Sequence, residues 1–167
     1  MNFSNTTYRV VFLSALIWCL FILSAPVALH LEATSFAHTV YGSYSRICHQ
    51  LDSHSLHLFG AKLAVCARCT AIYFGFFAGV LLYPLYSRKR RSQSVNRLLL
   101  LTSLPLLIDV FLNVLGINES TLFTRIFTGA IFGLSTPLMI LEPADEAFNE
   151  LRLNLSLLSR RKIRHAE

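Results

Sequence analysis

Four long apolar windows, at 10–29, 65–85, 98–117 and 121–141, limit what this chain can become. Each is close to the roughly 20 residues that a helix needs to cross the hydrocarbon core of a bilayer. The first window carries no charge, and the other three carry one each: Arg68, Asp109 and Arg125. The composition agrees. At 54% hydrophobic and 14% charged over 167 residues, with a mean hydropathy of +0.53, the chain is too apolar for a soluble globular domain and the right size for a few spans. The expected fold is an all-α membrane protein of four transmembrane helices. Its membrane domain covers 1–142, including a polar loop at 30–63, and a basic amphipathic tail follows at 143–167.

The formal charge of +6 comes from blocks beside the windows. One block holds Arg88, Lys89, Arg90, Arg91 and Arg97; the tail holds Arg152, Arg160, Arg161, Lys162 and Arg164; Arg9 precedes the first window. With four spans these lie on one side. By the positive-inside rule both termini are then cytoplasmic, in a cell (inner or plasma) membrane, and the loop at 30–63 faces outward. The first window reads as a retained anchor, since its charged flank is a single arginine and no small-x-small cleavage site is evident. The basic blocks are explained by topology and lack interleaved aromatics, so no nucleic-acid partner is expected.

Smaller features fill in the architecture. Cys19 reads as a packing residue inside the first span, and Pro26 is expected to kink or end that helix. Five of the six histidines, His30, His38, His49, His54 and His57, fall in the loop. Within it, residues 31–50 suit a short interfacial helix with Phe36, Tyr41 and Tyr44 at headgroup level. Ala71, Gly75 and Gly79 form a smooth ridge on the second span, as Arg125, Gly129 and Gly133 align on the fourth, which predicts close helix contacts. The short turn around GINES makes the third and fourth spans a hairpin. In the tail, Ala144, Phe148, Leu151, Leu155 and Leu158 recur in steps of four and three, so it can lie on the inner membrane face or pack on a membrane-protein partner.

Three of the four cysteines gather where the second span begins. Cys66 and Cys69 are spaced C-x-x-C, which on a helix puts both sulfurs on one face. The positive end of that helix and the adjacent Arg68 favour the thiolates. Cys48 and His49, with seventeen residues between Cys48 and Cys66, can fold back over the pair. The set Cys48, His49, Cys66 and Cys69 matches a known tetrahedral zinc arrangement, with a net charge of minus one that Arg68 could offset. Neighbours such as Cys48 and His49 point apart in extended chain, so His54 or His57 is an alternative fourth ligand. Zinc is the first choice, with copper and iron open.

The same sulfurs admit two other readings. A C-x-x-C at the outer end of the second of four spans resembles the layout of quinone-linked disulfide-generating membrane enzymes, although the second outer loop lacks the cysteine pair that relays electrons there. A structural disulfide with one free thiol is the third reading, and a role as subunit of a membrane complex is a further one. Covalent haem is disfavoured because Thr70, not histidine, follows Cys69. Whether the chain is an enzyme stays open. Beneath the cysteines, Arg68, Asp109 and Arg125 fall in the same half of the bilayer, with Asn113 one turn beyond Asp109. Charges at that depth are expected to pair, as a structural lock or as a polar floor supporting the site.

The runs CHQ, FG, VCARCT, IYFG, PLLIDVFLNVLGINES and TRIFTGAIFG resemble an uncharacterised family of small prokaryotic integral membrane proteins with a C-H-Q followed by C-A-R-C-T-G. The resemblance spans most of 48–133 and marks Cys48, His49, Gln50, Cys66, Arg68, Cys69, Asp109, Arg125 and Gly129. Ala71 and Val110 stand where the family has glycine, and His54 where arginine is common. The resemblance implies the membrane fold and the thiol set, and names no activity.

Overall fold

The computed structural model describes residues 5–86, 93–117 and 120–141, and beyond these 143, 144, 146, 147, 150, 151 and 154. The basic segment 87–92, and most of the tail expected to be an amphipathic helix, lie outside the described residues. Five α-helices are present among the described residues: α1 (Asn5–His30), α2 (Thr34–Tyr44), α3 (Ala67–Tyr86), α4 (Gln93–Val114) and α5 (Leu122–Ser135). Four segments are long and apolar enough to span a membrane: Thr6–His30, Ala67–Leu85, Arg97–Val114 and Leu122–Leu141. The four-span expectation therefore holds, with ends shifted by a few residues.

Pro26 does not end α1, which continues to His30. An interior proline removes one helical hydrogen bond and crowds the carbonyl four residues earlier, and here the ring is fully buried among packed residues that hold the helix together. The helix stops instead at Glu32, whose φ of 61° turns the chain back within a few residues. Helix α2 then packs on α1. Ala37, Val40 and Tyr44 share one stripe and bury it; Val40 and Tyr44 join Ile22 and Ala25 of α1 and Cys48, Leu63, Ala64 and Val65 in one apolar cluster.

This packing turns Tyr44 into the protein. Phe36 is exposed, as an interfacial residue should be, but Tyr44 is only 2% exposed. Its hydroxyl reaches the Trp18 carbonyl at 3.3 Å. The Tyr41 hydroxyl donates to the Lys62 carbonyl. At 3.6 residues per turn, position 44 falls in line with 37 and 40 and must face inward with them.

Between α2 and α3 the chain makes a 3₁₀ turn (Asp52–His54) and a small antiparallel hairpin, β1 (His57–Leu58) with β2 (Ala61–Lys62). Its two connecting residues, Phe59 and Gly60, both have positive φ, 53° and 79°, the geometry that suits the twist of a two-residue hairpin. Phe59 stacks on His30, with ring centroids 4.6 Å apart, which ties the hairpin to the end of α1.

The two small-residue ridges meet each other. Helices α3 and α5 run parallel with backbones in contact: a Cβ on Gly75 would lie 2.9 Å from the Ala130 carbonyl oxygen, and one on Gly79 would lie 2.7 Å from that of Leu134. At the start of the seam a Cβ on Gly129 would come within 2.7 Å of the Arg68 carbonyl oxygen and 3.1 Å of the Ala71 Cβ. Close approach survives Ala71 because the residue opposite is glycine. Helix α4 lies on the flank of α5, with none of its span window buried. It is held by the Thr102 and Ser135 hydroxyls, 2.7 Å apart, and by the Arg68–Asp109 ion pair to α3.

Candidate metal centre

The cysteine loop is built on Gln50. Its backbone has a φ of 51°, and its side-chain amide donates to the Tyr41 carbonyl at 2.8 Å and to the Ala64 carbonyl at 2.7 Å. Lys62 Nζ donates back to the Gln50 carbonyl at 2.8 Å. One glutamine thus joins α2, the CHQ loop and the strand leading into α3. The clamp brings Cys48 to the start of α3, where its Sγ accepts from the Cys66 backbone N–H at 3.1 Å. The Cys66 carbonyl opens the helix by accepting from the Thr70 N–H at 2.9 Å, so Cys69 follows three positions into the first turn and returns to the same face.

The result is a group of three sulfurs, Cys48, Cys66 and Cys69, all within 4.8 Å of one another. Cys48 is buried and the other two are half-buried. All are free thiols, so the structural-disulfide pairing is not formed here. Among the described residues this is the group close enough to share an ion. His49 is exposed and outside it, His54 is half-buried, and His57 faces Asp52 at 3.2 Å. Cys48 and His49 point apart because they are consecutive residues of a short irregular segment, and Cys48 takes the inward direction.

Cys48 is the member whose thiol is pushed down. The Cys66 and Cys69 thiols, followed by the Cys66 and Gln50 amides, hydrogen-bond to it and hold it below the ordinary thiol range, against the opposing effect of burial. A thiolate at a helix start is also a competent soft-metal ligand.

Below the sulfurs lies the polar floor. Arg68 Nη2 pairs with Asp109 Oδ2 and also reaches the Ser120 hydroxyl at 3.3 Å. Arg125, 4% exposed, donates from Nε to the Ser120 carbonyl at 3.1 Å. Ser120 joins the two arginines and was not foreseen from sequence; a serine beside a turn carries no distinctive signal. Asn113 lies half-buried one turn beyond Asp109. Two buried nitrogens, Arg68 Nε and Arg125 Nη2, have no hydrogen-bond partner.

Residues 48–139 match the family described as "Predicted membrane protein (DUF2085)". The chain belongs to the DUF2085 family. The match begins at Cys48 and takes in the whole sulfur group, the arginine floor and the α3–α5 seam. Among curated relatives, this DUF2085 chain is similar to an uncharacterized protein of Methanocaldococcus jannaschii, 36% identical over 140 residues that cover 80% of this chain and 90% of the relative. It is also similar to an uncharacterized protein of Methanothermobacter thermautotrophicus, 33% identical over 88 residues, covering 53% of this chain and 78% of the relative. No solved structure matches this DUF2085 member.

Proposed function

We propose that this protein is an integral membrane metal-binding protein that holds one soft divalent ion, zinc first, on Cys48, Cys66 and Cys69. The observation that carries the reading is the convergence of three free sulfurs from two chain segments within 4.8 Å. Three protein ligands plus one exchangeable position is the pattern of reactive zinc sites, whereas structural sites use four. The fourth position is therefore assigned to water or to a ligand from outside, with His49 as the alternative from within the chain. The positive-inside rule puts the site on the outer face and both termini in the cytoplasm. The basic tail is the proposed contact for a membrane-protein partner.

Titrating reduced, metal-free protein in detergent with Cd(II) tests the reading. One equivalent should saturate a sulfur-to-metal charge-transfer band that is lost in Cys66→Ser and unchanged in His49→Ala. No band in the unaltered protein would end it. Labelling Cys66 in intact cells with a membrane-impermeant thiol reagent tests the orientation.

A thiol oxidoreductase is the second reading. One observation favours it: a cleft of about 390 Å³ between α1, α3 and α5 includes Trp18 and Tyr73, and Tyr73 is one turn after Cys69. Joining Cys66 to Cys69 as a disulfide would release two electrons and two protons, which a quinone in that cleft would take up as quinol. Reduced protein that consumes no soluble quinone and keeps its thiols would rule this out.

A further inference from the structure

We infer that Arg125 is the counter-charge of the metal centre and sets the ionic charge that the three-sulfur group accepts. This rests on the metal-binding reading and extends it from ligands to selectivity. An arginine stays protonated in proteins, and a charge removed from water needs compensation nearby. Among the described residues, the charged side chains of the spans at this end are Arg68, Asp109 and Arg125. Arg68 is paired with Asp109. Among the described residues Arg125 meets the Ser120 carbonyl, and its buried Nη2 has no hydrogen-bond partner. Among the described residues of the spans, one positive charge is left over.

The helix register sets that charge beside the cysteines. Gly129 abuts the Arg68 carbonyl, and α3 and α5 run parallel. Arg125, one turn earlier on α5, is therefore level with the residues just ahead of α3, where Cys66 lies. Side chains on a helix lean towards its N-terminus, which here is the cysteine end. A divalent ion on three thiolates has a net charge of minus one, equal and opposite to the unbalanced arginine. A monovalent ion would leave minus two, and a trivalent ion would be neutral. In a setting sheltered from water these differences weigh heavily.

The test compares two probes on the full chain in detergent: Cd(II), whose three-thiolate complex is anionic, and As(III), whose complex is neutral. Arg125→Gln should weaken Cd(II) binding by about tenfold or more, the size of outer-shell effects, while As(III) affinity stays within about threefold. Arg125→Lys keeps the charge and should hold the Cd(II)-to-As(III) ratio within about threefold of the unaltered protein. Asp109→Asn leaves Arg68 an acceptor oxygen but adds a positive charge, so it should raise the ratio, and it decides the matter if Arg125→Gln fails to fold. An equal fall for both ions, an unchanged ratio in Arg125→Gln, or a ratio not raised by Asp109→Asn would overturn the inference. Unaltered protein that binds neither ion would remove the metal reading and this inference together, whereas normal binding with insensitive ratios would remove the inference alone.

Discussion

Helix α5 is packed on its two sides by different means. Towards α3 it presents Gly129 and Gly133, and the backbones touch along several turns. Towards α4, whose leucines and phenylalanine face outward at Leu100, Leu104, Leu107 and Phe111, it relies on a hydroxyl pair, while an ion pair two turns along α4 ties that helix to α3. In a bilayer, apolar surface gives two helices little reason to prefer each other over lipid, so contact comes from close packing or from polar groups. The first method gives a rigid pair on which the cysteine loop rests. The second places α4 with only a few bonds, one of which also orders the floor of the site.

If that contrast is right, substitutions should rank by which method they attack. Asp109→Ala should do the most damage, about 3 kcal/mol, because it strands the nearly buried Arg68 charge; a detergent unfolding titration measures it, and a loss near zero would mean that α4 is held some other way. Gly133→Ala should cost about 2 kcal/mol by forcing a methyl into the Ile72 backbone. The same change at Gly42 in α2, where a Cβ would meet nothing within 4 Å, should instead stabilise by about 0.5–1 kcal/mol through helix propensity. Equal effects at the two glycines would break the comparison. Thr102→Ala should cost only about 0.6 kcal/mol, the usual size of one interhelical hydrogen bond in a membrane.

The cysteine loop answers to pH rather than to packing. Because hydrogen bonds from Cys66 and Cys69 hold the Cys48 thiol low, the stability that it lends is complete above the unfolded thiol value of about 8.5 and is lost as pH falls towards the lowered folded value. In reduced, metal-free protein one thiolate's ultraviolet absorbance should persist well below that pH, and Cys48→Ser should abolish it. Absorbance that titrates at the ordinary thiol value would contradict the hydrogen-bonded arrangement.

Much of this arrangement was legible in the residues. The four spans follow from uninterrupted apolar length, and close contact at the two ridges from small residues recurring every fourth position, although that the ridges meet each other was visible only in the structure. The C-x-x-C spacing brought Cys66 and Cys69 together, and the CHQ resemblance pointed to Cys48. What escaped depended on three-dimensional context. Of the two expectations for Pro26, a kink or an end, the end is ruled out because packing carries α1 on to His30, and Tyr44 is drawn inward by a stripe that includes Ala37 and Val40. Gln50 was marked only by resemblance; its role needs carbonyls from two distant segments. His49 could not be assigned from composition, since the direction of its side chain depends on which of two adjacent residues faces inward. Arg68 was the expected counter-charge, but Asp109 occupies it, and only the packed helices show Arg125 without a carboxylate among the described residues.

The most direct test of the three-sulfur centre is metal content with a count of reactive thiols, on protein extracted reduced in mild detergent without chelator or affinity metal. One ion per chain, with Cys48, Cys66 and Cys69 shielded from alkylation until the metal is removed, is the predicted result. A metal-free protein whose three thiols react at once, and which takes up no added zinc, would contradict it.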